Sequence, residues 1–256
     1  MKLLSVRKAV SIMLCSCMMI PMIAGCTSGK KNVSEEPVID VKSEEYAGLV
    51  DGYDQEVDKD LEAERNKKDD SSLAGTTKKY SNSNLVEYTK RSPNKSSPRQ
   101  HKIDTITIHC MAGQLSVETC GNVFASSKAQ ASSNYGIDNN GRIGLYVDEK
   151  DRSWCSSNSE NDNRAVTIEV ASDSKSPYKV NDAAYKSLIN LVTDICKRNG
   201  IKKLVWSDDK ETRRNHKDGA NMTVHRDFAN KACPGDYLYS RMGDIANKVN
   251  KKLGAT

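Results

Sequence analysis

The segment TVHRDFANKACPGDY, residues 223–237, carries an imidazole and a thiol eight residues apart, at His225 and Cys233. The Pro-Gly pair after the cysteine favours a sharp turn, so we expect both side chains to lie on a loop. Their spacing is too long for one face of a helix, but it allows a loop to fold back around a metal ion. Three interpretations are open at this point: a metal site, a cysteine nucleophile and ordinary packing.

A second histidine, His109, lies near the end of IDTITIHC (103–110), in which apolar and polar residues alternate as they do in a strand. The segment AVTIEVA (165–171) repeats the order threonine, isoleucine, ionisable residue, and its ionisable residue is Glu169. Because strand side chains alternate in direction, neighbouring strands would place His109 and Glu169 on one polar face. With the imidazole and thiol of the loop, His109 would complete the three protein ligands typical of a catalytic zinc ion.

Helical and strand patterns alternate along this half of the chain. The segments are a helix over 116–129 with Ser116 as N-cap, a hairpin over 133–148 with its turn at 139–141, a helix over 181–200 that Asn181 caps and Gly200 ends, a strand over 203–207, and a helix over about 237–253. We therefore expect an α/β fold: a single domain over residues 101–256, with a central mixed β-sheet flanked by helices.

The N-terminus has the features of an export signal. A basic start precedes a mostly apolar run, residues 9–23, which is shorter than the roughly 20 residues of a spanning helix. The run ends in Ile-Ala-Gly-Cys, which resembles the lipobox of bacterial lipoproteins. We expect a lipoprotein signal peptide over residues 1–25, acylation of Cys26, and a mature protein outside the cytoplasm, anchored to membrane lipid and facing the cell wall.

The composition after the signal changes to that of an unfolded chain. Residues 35–70 carry fourteen acidic and five basic side chains, with few large apolar residues. Low hydrophobicity and blocks of like charge cannot offset the entropy of ordering a chain. We expect residues 26–100 to be a lipidated N-terminus followed by a disordered linker.

Charge and cysteine content limit the possible functions of the folded part. The net charge of +5 is modest, and no arginine-rich helix is present, so we exclude a nucleic-acid partner. Five cysteines remain after position 100, at Cys110, Cys120, Cys155, Cys196 and Cys233. If Cys233 is a metal ligand, the other four could form two disulfides or stay reduced, and the sequence alone does not choose.

Five motifs occur in an order that resembles a known family: TITIHCMAG, SSNYGIDNNGRI, RSWCSSN, AVTIEVA and HRDFANKACPGDY. They are similar to those of zinc-dependent N-acetylmuramoyl-L-alanine amidases, which include bacterial autolysins, phage endolysins and peptidoglycan recognition proteins. The resemblance covers about residues 101–245. It implies one Zn²⁺ per chain, with His109, His225 and Cys233 as its ligands.

The resemblance also implies a reaction and its catalytic groups. The substrate would be peptidoglycan, cut at the amide between N-acetylmuramic acid and the L-alanine of the stem peptide. Glu169 corresponds to the family's catalytic glutamate, which would move a proton between water and the leaving amine. Lys231, two positions before the last ligand, would stabilise the oxyanion of the tetrahedral intermediate.

The chain departs from the family pattern at two positions. Many relatives have histidine where this chain has Asn134, before Tyr135, and many have Trp-His where it has Trp154 and Cys155. We expect Asn134, Tyr135 and Trp154 to border the groove and to bind substrate, so that substrate preference differs from that of those relatives.

Two other functions compete with a zinc amidase. One is a cell-wall cysteine peptidase with Cys233 or Cys155 as nucleophile, and the other is a non-catalytic module that binds muropeptides. The three ligands and two catalytic candidates argue against the second. We expect the protein to act as a monomer.

Overall fold

The computed structural model describes Asp40, Ser43, residues 46–50 and residues 80–255. The predicted signal peptide, the lipidation site Cys26 and most of the predicted linker lie outside these residues. Among the described residues, no helix has both the length and the apolar character needed to cross a membrane.

The described residues contain eight strands in chain order: β1 Tyr88–Thr89, β2 Lys95–Ser96, β3 Thr105–Cys110, β4 Tyr135–Ile137, β5 Ile143–Leu145, β6 Arg152–Ser153, β7 Ala165–Val170 and β8 Met222–Val224. Six of them form a sheet in the order β1-β5-β4-β7-β3-β8, in which only β4 and β5 are antiparallel. Strands β2 and β6 form a separate antiparallel pair. The predicted mixed sheet is confirmed.

The helices of the described residues, other than short 3-10 turns, are α1 Ala47–Val50, α2 Val117–Ala125, α3 Ser159–Arg164, α4 Asp182–Asn199, α5 Lys210–Arg214, α6 Gly235–Tyr239 and α7 Met242–Leu253. The predicted caps are present: Ser116 accepts from the N–H of Thr119 and Asn181 from that of Ala184. Gly200 ends α4 in the left-handed region, at φ 75°, which glycine enters without a steric penalty.

Strands β3 and β7 lie at the centre of the sheet and are buried along their whole length. They pair in parallel with Thr107 opposite Thr167 and His109 opposite Glu169, so His109 and Glu169 lie on one face, as the alternation predicts for neighbouring strands. The isoleucines of these strands join a core that also contains side chains of the neighbouring strands and of the apolar faces of α4 and α7. Because both strands are held by core packing and by hydrogen bonds on each side, their register is fixed and so is the position of the site.

Several elements differ from the predictions. Residues 203–207 form no strand: Val205 bonds to the N–H and the side chain of Asn221, and the N–H of Leu204 donates to the side chain of Asn250. A strand that was not predicted, β8, lies next to β3 instead. The last predicted helix is two helices in the structure, because α6 ends at Tyr239 and α7 begins after Arg241.

The folded region begins earlier than the predicted boundary at residue 101. Strand β1 pairs with β5, with Tyr88 opposite Gly144. Arg99 is buried, and its guanidinium donates to the carbonyls of Glu149, Asn163, Ala165 and Asp151 at 2.6–3.1 Å. Hydrogen bonds to distant carbonyls therefore help to order residues 80–100, together with the packing of Tyr80, Val86 and Tyr88 against the core, and a test of composition cannot detect either.

A candidate metal centre at the ends of three strands

Three parallel strands end in the same short pattern of threonine, an aliphatic residue and an ionisable residue. The segments are 107–109 at the end of β3, 167–169 in β7 and 223–225, which runs from β8 into the following turn. The three strands are parallel neighbours. Their ionisable residues His109, Glu169 and His225 therefore lie close together at the carboxyl ends of the strands. The third copy of the pattern could have revealed β8 from the sequence, and the prediction missed it.

The loop after His225 brings Cys233 to the same point. Its Sγ lies 3.4 Å from Nδ1 of His109, and the rings of His109 and His225 are 5.1 Å apart. One ligand atom from each of the three residues lies within 4.8 Å of the others. Gly235 makes this return possible, since it has φ 78° and a Cβ there would be 2.5 Å from Cβ of Tyr178.

The two protonation states that matter for a ligand are set by burial. His109 has no exposed surface, and burial followed by the nearby His225 lowers its pKa well below the usual value. Its imidazole is therefore neutral, as a metal ligand must be. Burial also raises the pKa of the Cys233 thiol, so a metal ion that binds there must displace a proton.

Glu169 lies beside this cluster and is 3% exposed. Its Oε1 is 3.9 Å from Nδ1 of His109, a contact with a neutral ring rather than an ion pair. Burial, followed by the charge of Cys110, raises the pKa of Glu169 well above the usual value.

Two buried polar atoms of the cluster lack a hydrogen-bond partner among the described residues: Nε2 of His109 and Oε2 of Glu169. Buried polar atoms are normally paired, so two unpaired atoms on neighbouring residues of this cluster favour a group that the chain itself does not supply. The donor set of two imidazoles, a thiol and an adjacent carboxyl fits a zinc ion with an open coordination position.

Surrounding residues hold the loop of His225 in place. Asp227 accepts from the N–H of Val224 at 3.1 Å and from Nε of the buried Arg213 at 3.0 Å. The hydroxyl of Ser157 is 3.1 Å from Nε2 of His225. Sequence reasoning did not single out Ser157, because it lies 68 positions from its partner and belongs to no pattern.

Lys231 lies on the same loop but is not one of the residues in the metal cluster. It is partly buried and lines a groove of about 720 Å³ together with Arg226, Phe228 and two basic residues of α5, Lys210 and Arg214. The groove wall is formed largely by residues 226–232, which lie between the two loop ligands in the chain.

The predicted substrate-binding residues have different surroundings. Asn134 is fully buried and holds β7, where its Oδ1 accepts from the N–H of Thr167 at 3.1 Å. Tyr135 is also fully buried and donates to Glu149 at 2.7 Å. Both side chains make their hydrogen bonds within the fold, which disfavours the predicted role in substrate binding. Only Trp154 is partly exposed, with Nε1 donating to Ser96 Oγ at 3.1 Å.

All five cysteines of the folded region are free thiols. The two candidate nucleophiles of a cysteine peptidase, Cys155 and Cys233, both have a pKa that burial raises well above the usual value. A nucleophilic cysteine needs the opposite shift, toward thiolate at neutral pH. These environments disfavour the peptidase interpretation.

Residues 99–236, more than half of the chain, match the family described as N-acetylmuramoyl-L-alanine amidase. The protein belongs to this family. The match includes His109, Glu169, His225, Lys231 and Cys233, and it confirms the predicted family and enzyme class. The amidase has no match among curated proteins.

Several solved structures are similar to the amidase. PlyL is 17% identical, with a TM-score of 0.47, and the match covers 63% of this chain and 95% of that one. A mutant endolysin from Bacillus subtilis is 14% identical, with a TM-score of 0.45 and coverage of 63% and 97%. The N-acetylmuramoyl-L-alanine amidase LysC from Clostridium intestinale URNW is 15% identical, with a TM-score of 0.42 and coverage of 67% and 96%.

Proposed function

We propose that this amidase is a zinc-dependent peptidoglycan hydrolase that cleaves the amide bond between N-acetylmuramic acid and the L-alanine of the stem peptide. The observation that carries the proposal is the convergence of His109, His225 and Cys233, with Glu169 directly beside them. The residues come from three neighbouring strands and one loop, and both unpaired buried atoms of the cluster belong to His109 and Glu169.

His109, His225 and Cys233 would hold one Zn²⁺ per chain. When bound, the ion supplies Lewis-acid chemistry, polarising the substrate carbonyl and lowering the pKa of water toward about 7. The chain contributes the neutral imidazole of His109 and a cysteine sulfur, whose negative charge as thiolate offsets part of the charge of the cation.

Glu169 is the proton carrier of the proposed reaction. A raised pKa makes the carboxylate a stronger base, which favours the transfer of a proton from the attacking water to Glu169. It then returns the proton to the leaving nitrogen of L-alanine, which departs as a neutral amine. Oε2 suits this exchange, because no described protein group occupies it.

Lys231 is proposed to stabilise the negative oxygen that develops at the scissile carbonyl. Its place in the groove wall, beside Arg226 and two positions before Cys233, supports a cationic group on this side of the substrate. Removing a donor of this kind costs about a hundredfold or more in rate. The basic groove suits peptidoglycan stem peptides, which carry carboxylates.

We also propose that the enzyme works outside the cytoplasmic membrane as a monomer, anchored through an acylated Cys26. The basic start, the short apolar run and the Ile-Ala-Gly-Cys sequence support this location. Replacing Cys26 with alanine should move the protein from the membrane fraction to the soluble fraction without changing the activity of the domain. Retention in the membrane would contradict the anchor.

The reaction is tested by digesting purified cell wall and analysing the products by mass spectrometry. The expected products are sugar-free peptides with a new L-alanine amine. Chelation should abolish their release and added Zn²⁺ should restore it. Products cut within the peptide or within the glycan would reject the proposed bond, and full activity after exhaustive chelation would reject the metal.

The ligand set is tested by Cys233→Ala, which should lose both zinc and activity. Cys196→Ala is the control, since Cys196 is a free thiol buried in α4, within the apolar core and outside the metal cluster. It should keep both. Zinc at full stoichiometry in Cys233→Ala would remove this residue from the ligand set.

A further inference from the structure

A second thiol, that of Cys155, reaches the same cluster without belonging to the proposed ligand set. It is buried in the loop between β6 and α3, and its Sγ lies 3.9 Å from Oε1 of Glu169, within hydrogen-bond reach of a thiol. The family pattern gave this position no role beyond a departure from histidine.

The loop holds the thiol in a fixed place. The N–H of Cys155 donates to Oδ2 of the buried Asp162 at 2.9 Å. The next residue, Ser156, binds the same carboxylate through its hydroxyl at 2.6 Å. On the other side, Trp154 N–H donates to Ser132 Oγ at 3.0 Å. Both neighbours of Cys155 are therefore anchored, and its side chain has little freedom to move away from Glu169.

The two oxygens of Glu169 have different surroundings. Oε1 faces the Cys155 thiol and Nδ1 of His109, whereas Oε2 is buried without a hydrogen-bond partner among the described residues. Burial raises the pKa of Cys155, so the group is a neutral thiol with a hydrogen to donate. A donor on one oxygen fixes the rotation of the carboxyl and decides which oxygen stays open.

We propose that Cys155 is a positioning residue for the reaction: its thiol donates to Oε1 of Glu169 and fixes the rotation of the carboxyl beside Nδ1 of His109. This inference rests on the proposed function, because it assigns the task of the carboxyl that moves the proton. Cys155 itself touches neither substrate nor metal.

One competing role uses the same geometry. His109, Cys155 and Glu169 also have ligand atoms within 4.8 Å of one another, so Cys155 could be a metal ligand instead. The two roles differ in what its removal does. A positioning thiol leaves the metal content unchanged and lowers turnover, whereas a ligand takes the metal with it.

The test compares Cys155→Ala with wild type and with Cys196→Ala, all loaded with zinc. Loss of one hydrogen bond should lower kcat roughly three- to tenfold. KM and zinc stoichiometry should stay the same, because the thiol contacts neither the substrate nor the zinc ion. Cys196→Ala controls for the loss of a buried thiol and should retain wild-type kcat.

The hydrogen bond itself is measured by the infrared S–H stretch of Cys155, identified as the band that disappears in Cys155→Ala. The band should move toward the frequency of a free thiol in Glu169→Ala. An unchanged kcat in Cys155→Ala, loss of zinc in that variant, or an unmoved band in Glu169→Ala would each overturn the inference. Absence of L-alanine amines in the wild-type digest would instead reject the proposed function, and the infrared result would still stand alone.

Discussion

Two adjacent layers of side chains on the same three strands are equally buried, but only one of them has all of its hydrogen bonds satisfied by protein groups. The threonine layer consists of Thr107, Thr167 and Thr223, and the ionisable layer of His109, Glu169 and His225, two residues further along the chain. All six side chains are at most 5% exposed.

In the threonine layer every hydroxyl has a protein partner. Thr107 and Thr223 bind each other at 2.8 Å and share Asn161, while Thr167 binds Ser153 at 2.7 Å. In the ionisable layer His109 and Glu169 each retain a buried atom that no described residue satisfies.

The comparison shows that buried polar side chains have two different roles in this protein. A satisfied layer stabilises the fold, because each group recovers in the protein the hydrogen bonds it lost in water. An unsatisfied layer costs stability and persists where a ligand or substrate completes it. The site thus lies where the buried polar side chains of the sheet no longer satisfy one another's hydrogen bonds.

The largest expected effect comes from Glu169→Gln, which keeps the shape of the side chain and removes its proton chemistry. We expect kcat to fall by about a hundredfold or more, with zinc retained. Thermal unfolding should show equal or higher stability, since a buried carboxyl is replaced by a neutral amide. A kcat within a few fold of wild type, measured on purified wall, would contradict the role of Glu169.

The same variant tests the electrostatics of the ionisable layer through pH. The pKa of Glu169 is raised in the folded protein, so its protonated form favours folding. Relative to Glu169→Gln, the metal-free wild type should be most stable below the unfolded pKa of about 4.3, and should lose that advantage as pH rises toward the raised folded value. Urea unfolding of both proteins across this range gives the difference, and a constant difference would mean that the pKa is not raised.

The threonine layer should respond in the opposite way. Thr107→Val removes a hydroxyl that Asn161 and Thr223 both use, so we expect a loss of about 1–3 kcal/mol in the free energy of unfolding. The folded fraction should keep near wild-type kcat and zinc content. Normal stability with impaired turnover in this variant would contradict the conclusion that the threonine layer stabilises the fold and takes no part in the reaction.

The smallest effect is expected outside both layers, at the pair of Arg91 and Asp148, joined at 2.8 Å and partly exposed. Asp148→Asn should cost less than about 1 kcal/mol at neutral pH and leave activity unchanged. Arg91 lowers the pKa of Asp148, so the pair contributes above the unfolded pKa and loses this contribution as pH falls toward the folded value. A large loss of activity in this variant would show that residues 80–100 influence the site.

Prediction from the sequence succeeded where the signal was local. The alternation in TITIHC and AVTIEV predicted that His109 and Glu169 share one face, and the caps Ser116 and Asn181 predicted the starts of two helices. It failed where distant groups decide the outcome. Residues 80–100 were predicted to be disordered. Their order depends on contacts that are distant in the sequence, such as those of Arg99 with carbonyls about 50 to 66 positions away. Asn134 and Tyr135 read as groove residues because neither burial nor their partners are visible in a motif.

The sequence by itself determined which chemical groups are available: two imidazoles, a thiol and a carboxyl, each in a segment whose type is fixed by alternation, capping or turn residues. Only the tertiary structure decided that they meet. His109 and Cys233 are 124 positions apart, and the contact between them depends on the strand order β7-β3-β8 and on the return of the loop at Gly235. The same holds for the thiol of Cys155 against Glu169. Local propensities act over a few residues, whereas the burial that sets these distances and pKa values belongs to the assembled core.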